Sequence, residues 1–198
     1  MDLKALNKIG YGLYVITSFD GEKHNGFISN SVMQVSINPA MLAVSINKQN
    51  YSHDVIKKTG KMNVNILTED ASFSTFKKFG FQSGREVNKF ENEEVILSGN
   101  GLAICTKNVN ACICLKVENY IDTGSHGLFI CSIEESAVLS DEETMTYSFY
   151  HKFIKEKPKV KNAYVCKICG YVYEGEPLPE DFICPLCKHG ASDFEKIK

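Results

Sequence analysis

A mainly β fold, read as an all-β barrel or sandwich followed by a small metal-stabilised C-terminal module, is what the sequence predicts. Three observations carry that expectation. Short runs rich in β-branched and aromatic residues recur through residues 1–150, with turn signals between them. Few helices are readable, and they do not alternate regularly with the strands. Near the end, Cys166/Cys169 and Cys184/Cys187 form two tight pairs in a stretch too small to bury a core of its own.

Taken in order, Tyr11–Thr17 and Met41–Asn47 are strand-like in composition, and Met62–Leu67 alternates apolar and polar side chains. Ala111–Tyr120 and Gly127–Val138 read the same way. Turns are expected at Asp20-Gly21, Asn25-Gly26, Asn38-Pro39, Ser98–Gly101 and Thr123-Gly124. Short helices are expected over Ser52–Thr59, Ala71–Phe79 and Glu142–Tyr150, with Asp70 capping the second and Gly60 and Gly80 ending the first two. Residues 151–161, HKFIKEKPKVK, hold five lysines and a proline and read as an exposed linker. Fully extended it reaches ~35 Å at about 3.3 Å per residue. The expected organisation is therefore a domain over 1–150, a linker over 151–161 and a metal module over 162–198.

The chain has 198 residues, 43% apolar, and a formal net charge of −2. Near-neutral charge without a basic aromatic stripe argues against nucleic acid as a partner. No run of about 18 apolar residues predicts a membrane span. The first residues are interrupted by Lys4 and Lys8 and lack the apolar core of a signal peptide, so a cytoplasmic location is expected. Cys105, Cys112, Cys114 and Cys131 are scattered through strand-like sequence and are expected to be reduced core thiols. Cys112 and Cys114 flank Ile113 and would share one strand face. Neither has a neighbouring cation or helix start that would activate it.

The two C-terminal pairs are different. A CxxC turn sets two thiolates on one side of a tight loop, and Gly170 can take a left-handed position after the first. Two such loops facing each other give a tetrahedral four-thiolate site from Cys166, Cys169, Cys184 and Cys187, suited to zinc or to a single iron. Tyr164, Tyr171, Tyr173, Phe182 and Phe194 supply an aromatic shell that would control access and potential. The strings YVCKICGYVYEG, PLPEDFICPLC and SDFEKI resemble rubredoxins over almost all of 163–198. That resemblance implies iron as the occupant. Fourteen residues, Gly170 to Ile183, separate the pairs, fewer than in stand-alone rubredoxins.

Residues 1–150 contain neither a G-x-G-x-x-G turn nor a P-loop, so a Rossmann-type nucleotide domain is not supported. Two polar clusters interrupt the strands: Ser29-Asn30-Ser31, and Asn47-Lys48 through Ser52-His53 at an expected helix start. Helix amides, a hydroxyl and positive charge would together suit a phosphate group, although a solvated turn with a Ser cap accounts for the same residues. The run IGYGLYVITSFDGEKHNGFISNSVMQVSINPAMLAVSINKQNYSHDVI resembles the FMN-binding split-barrel flavin reductases, as do MNVNIL, Lys89-Phe90 and Gly124–Phe129 further on. The resemblance implies a six-stranded Greek-key barrel, usually dimeric, that holds FMN. It places Thr17, Ser29, Asn30 and Ser31 along the flavin ring. Ser45, Asn47, Lys48, Ser52 and His53 fall on the ribityl chain and phosphate. Arg85 would meet a phosphate, and His126 would lie near the flavin where nicotinamide stacks. This chain departs from the family pattern at Ile28, Ala40 and Ser125.

As a whole the sequence resembles the high-molecular-weight rubredoxins, which join a flavin reductase-like domain to a short rubredoxin domain. The resemblance implies an oxidoreductase carrying electrons from NAD(P)H through FMN to an iron held by four cysteines. Acceptors of the flavodiiron type, which reduce oxygen or nitric oxide, would follow. Two other readings stay open from the residues: a free-flavin reductase with an accessory tail, and a zinc-stabilised binding module.

Overall fold

The computed structural model describes residues 3–91, 94–155, 163–168, 170–185 and 188–197. Contacts divide the chain into Met1–Lys155 and Glu156–Lys198. In the first unit the strands are β1 (Tyr14–Phe19), β2 (His24–Ser29), β3 (Val32–Ile37), β4 (Ala40–Asn47), β5 (Lys61–Leu67), β6 (Ile96–Leu97), β7 (Ala103–Ile104), β8 (Val109–Asp122) and β9 (His126–Val138). Helix α1 (Tyr51–Thr59) follows β4, α2 (Phe73–Gly80) follows β5, and α3 (Tyr147–Phe149) follows β9.

Seven of the strands form one antiparallel sheet in the order β2-β1-β5-β8-β9-β4-β3. Its two end strands, β2 and β3, are joined by Asn30 and Ser31 alone. Ends that close in the chain must be close in space, so the sheet curls into a split barrel. The strand count is seven where the resemblance implies six, because Asn30-Ser31 breaks the run 24–37 into two strands.

Alternation along the strands sorts apolar side chains into two cores. Ile16, Val44, Met62, Val64, Leu115 and Phe129 fill the barrel interior, with Ile56 of α1 packed among them. Their neighbours of opposite parity, such as Val15 and Leu67, pack outward against Phe76 and Phe79 of α2 and against Met145. Asn63 and Asn65 of β5 also face outward, yet both are completely buried. Their amides bond the segment that covers them: Asn63 Nδ2 donates to Ser98 Oγ at 2.7 Å, and Asn65 Oδ1 accepts from the Cys105 N–H at 2.9 Å. Cys112 and Cys114 pair with these asparagines across β5 and β8. They are buried free thiols, and burial pushes Cys112, like Cys131, up to about 12. That agrees with a packing role.

Several sequence expectations shift. Asn25-Gly26 is no turn; it lies inside β2, where a Cβ on Gly26 would stand 3.0 Å from the Phe79 ring. Gly60 ends α1 in the left-handed region at φ 71°, as expected, but its start is capped by Asn50, whose Oδ1 accepts from the Ser52 N–H. Asp70 does not cap the second helix, which begins at Phe73 after Ser72. Within the expected helix 142–150, Thr144 and Thr146 instead bridge to Thr68 and Gly12. The helical turns begin at Tyr147 and continue as a π-turn over Tyr150–Ile154, with Ile154 packed against the outer core. Residues 151–155 thus belong to the first unit instead of the linker; residues 156–161 lie outside the described residues. Among those described, no helix is long and apolar enough to cross a membrane.

In the second unit β10 (Tyr164–Cys166) lies between β11 (Val172–Tyr173) and β12 (Phe194–Lys196). Cys166, Cys184 and Phe194 are buried, and the expected aromatic shell of Tyr164, Tyr171, Tyr173 and Phe182 packs on them. So small a core contributes only a few side chains at roughly 1.5–3 kcal/mol each, which leaves its folding dependent on a further crosslink.

Candidate functional site

The two cysteine loops of the second unit repeat one hydrogen-bond pattern. Cys166 N–H donates to Tyr171 O, and Gly170 N–H donates back to Cys166 O at 2.7 Å. Eighteen residues on, Cys184 N–H donates to His189 O and Lys188 N–H to Cys184 O at 2.9 Å. The fourth residue after each cysteine takes a left-handed turn, Gly170 at φ 79° and Lys188 at φ 62°. Glycine does this freely; a lysine there marks a loop whose geometry is imposed from outside the residue. Cys166 and Cys184 are 1% and 0% exposed. Cys169 and Cys187 lie outside the described residues, and among those described no group of three ligating side chains forms. Matched loops holding buried sulfurs fit a thiolate-bound metal, since thiolates in an aromatic shell need a cation to offset their desolvation.

On the barrel, one polar strip runs from the β2–β3 junction along β4 to the β8–β9 turn. Ser29 Oγ accepts from the Ser31 N–H at 3.3 Å, and Ser31 Oγ donates to Asn30 Oδ1 at 3.0 Å. The Ser45 N–H donates to Ser31 O at 2.9 Å, tying the junction to β4. Ser45 and Asn47 alternate with the core residues Val44 and Ile46, so they face out of the interior and stay half-buried. Asn47 pairs directly with His126 across β4 and β9. Lys48 Nζ meets Asp122 Oδ1 at 2.5 Å, a contact that holds the Asp122 carboxyl below its ordinary range. Arg85, exposed, donates from Nη1 to Gln49 O at 3.2 Å and lies over the Tyr51 ring. Tyr51 donates to Asp20 Oδ2, which raises the phenol's pKa. His126 is half-buried, its Nδ1 2.8 Å from Ser125 Oγ, and burial holds its pKa below the ordinary value.

Three expected ligand residues do not reach this surface. Thr17 is completely buried, and its hydroxyl donates to Ala103 O at 2.6 Å under the β6–β7 segment. Ser52 is also completely buried; its Oγ accepts from Asn25 Nδ2 at 2.8 Å and from Ser18 Oγ at 3.0 Å. His53 is 4% exposed, wedged beside Tyr120 and Phe129 with Nδ1 2.8 Å from Asp54 and Nε2 3.2 Å from Tyr120 OH. Of the three, His53 packs under the start of β9, where a Cβ on Gly127 would stand 2.7 Å from its Nε2. Sequence reasoning missed Asn25, which crosslinks β2 to α1, because Asn-Gly reads as a turn. Its Oδ1 is buried without a partner, and Gly84 packs so closely that a Cβ there would come within 2.4 Å of it. That close approach seats the 83–85 turn, and Arg85 with it, beside the start of α1. Uncharged amide and hydroxyl groups at one end of the strip, and a lysine and an arginine at the other, fit the polar ring edge and the phosphate of a flavin nucleotide.

A split barrel bearing this strip, followed by paired metal loops, defines a two-domain redox protein. The chain belongs to the flavin reductase-like family: the flavin reductase like domain model matches residues 6–155, and the rubrerythrin, rubredoxin-like domain model matches residues 164–195. It is 36% identical, over the whole of both chains, to the high molecular weight rubredoxin of Moorella thermoacetica. A ferric-chelate reductase (NAD(P)H) of Archaeoglobus fulgidus is 34% identical over 83% of this chain and 98% of its own length. Among solved structures, the flavin reductase PheA2 in its native state superposes with a TM-score of 0.60 at 26% identity, over 74% of this chain and 93% of that one.

Proposed function

We propose that this chain is an NAD(P)H-dependent oxidoreductase that passes electrons through FMN and a mononuclear four-cysteine iron to a partner redox protein. One observation carries the reading: the polar strip and the matched cysteine loops occur in one chain. When bound, FMN takes up a hydride and gives electrons singly, and the iron exchanges one electron at a time. The protein's part is binding and orientation. Asn30, Ser31 and Ser45 would hold the ring edge, and Ser29 stiffens their turn. Asn47, Lys48 and Arg85 would hold the phosphate end. His126, kept neutral by burial, would contact the nicotinamide. Cys166, Cys169, Cys184 and Cys187 would hold the iron. The similarity to a high molecular weight rubredoxin and to an NAD(P)H-dependent ferric-chelate reductase supports the donor and the direction of flow.

The acceptor is a flavodiiron-type oxygen or nitric oxide reductase in the cytoplasm, as the whole-chain resemblance implies. The working form is a homodimer. Met33, Val35 and Ile37 of β3, the strand at one end of the sheet order, are 63%, 45% and 82% exposed, apolar side chains around an edge that a second copy would cover. A fresh preparation of the full chain, analysed for flavin, iron and zinc, tests the proposal. About one FMN and one iron per chain are expected; zinc with no flavin contradicts it. The similarity to the ferric-chelate reductase also favours a second reading, direct reduction of a small acceptor by the barrel. Undiminished physiological turnover after deletion of residues 163–198 would select that reading.

A further inference from the structure

Three segments far apart in the chain meet at the start of α1: the β1–β2 turn with Asp20, Tyr51 at the first position of the helix, and the 83–85 turn with Arg85. Their contacts run in series. Asp20 Oδ1 accepts from the Glu22 and Lys23 N–H groups at 2.8 and 2.9 Å, which fixes the carboxylate on its own turn. Its second oxygen, Oδ2, accepts from the Tyr51 hydroxyl at 2.5 Å. The half-buried Tyr51 ring, held in this way, lies 5.4 Å from the Arg85 guanidinium carbon, within the range of a cation–π contact. A phenol that donates to a carboxylate is polarised toward its ring, which strengthens the pull on the cation. Arg85 Nη1 also donates to Gln49 O, a bond that uses one of the five guanidinium donors and leaves the others for an anion. The close approach of Gly84 to Asn25 sets where the arginine backbone lies; Tyr51 sets where its charge lies.

We propose that Tyr51 is a positioning residue for the flavin phosphate: anchored by Asp20, its ring holds Arg85 with the remaining guanidinium donors presented to that group. The inference rests on the flavin reading, with Arg85 as a phosphate contact, and adds the device that aims it. A long exposed side chain otherwise samples many rotamers, and holding it in place beforehand lowers the cost of binding. Tyr51 acts through the arginine and not on the ligand.

The test equilibrates the full-length, metal-loaded chain with FMN or with riboflavin, which lacks the phosphate, and reads unbound flavin by its fluorescence. Tyr51→Leu is expected to weaken FMN about three- to fivefold, the worth of one exposed cation–π contact, and to leave riboflavin within about twofold. Tyr51→Phe keeps the ring and is expected to restore most of the FMN affinity. In the Arg85→Ala background, Tyr51→Leu is expected to change FMN binding by less than about twofold. Equal losses for FMN and riboflavin, no loss in Tyr51→Leu, no rescue by Tyr51→Phe, or a loss that persists in the Arg85→Ala background would each overturn the proposal. If Arg85→Ala itself leaves the ratio of FMN to riboflavin affinity unchanged, the phosphate role of Arg85 falls and the inference falls with it. A ratio lowered by Arg85→Ala but not by Tyr51→Leu overturns the inference alone.

Discussion

Lys89 offers a prediction whose size follows from its surroundings. The side chain is 5% exposed, and its Nζ donates to Gly26 O at 2.8 Å and Phe79 O at 3.2 Å, linking β2 to α2. Burial, with the Lys78 charge adding to it, brings its pKa from 10.5 down to about 8. The folded state therefore binds fewer protons than the unfolded chain between about pH 8 and 10.5, and stability rises with pH across that window. Below pH 8 the full penalty is present, on the order of 3 kcal/mol at about 1.36 kcal/mol per pKa unit. By pH 9.5 about 2 kcal/mol of it is relieved. Replacing Lys89 by Met removes the titrating group and leaves two carbonyls without a donor. The variant should be less stable at pH 7, and its deficit should widen by about 2 kcal/mol at pH 9.5. Guanidinium unfolding of both proteins, followed by circular dichroism at the two pH values, measures the difference. A deficit that stays constant, or narrows with pH, refutes the reasoning that Lys89 is buried as an ammonium on two carbonyls.

Ser52→Ala strands the Asn25 and Ser18 donors and should cost about 1–3 kcal/mol in denaturation, while flavin affinity of the folded protein, measured by titration, stays within about threefold. Arg85→Ala should show the opposite pattern, an unchanged melting temperature and flavin binding weakened about tenfold, as loss of one charge-assisted contact to a phosphate requires. Removing the metal with a strong chelator should unfold residues 163–197 and leave the barrel intact, visible as proteolytic release of a fragment ending near Lys155.

The sequence and the structure agree most closely where residue type alone dictates geometry. The aromatic shell expected around the C-terminal cysteines packs on Cys166 and Cys184, and Gly60 ends α1 as expected. Strand-like composition placed β4, and the alternation of apolar and polar residues placed β5, β8 and β9. What the sequence hid depends on partners distant in the chain. Asn25-Gly26 lies inside a strand because Ser52 and Phe79, from two different helices, occupy its two sides. The resemblance put Thr17 and His53 at the flavin, and the structure adds partners for both that no residue pattern discloses, Ala103 O and Tyr120 OH. Lys48 is a cation in sequence and half of an ion pair in space. The linker ran short because Tyr150 and Ile154 found an apolar surface that a lysine-rich string does not advertise.

Anaerobic mixing of the flavin- and iron-loaded chain with NADH or NADPH, watching the flavin and ferric-thiolate absorption bands separately, tests the central claim most directly. The account predicts that the flavin band bleaches first and the iron band follows, with no added mediator and at a rate that does not change when the protein is diluted. Flavin reduction that leaves the iron ferric, or iron reduction that requires a second protein, would contradict it.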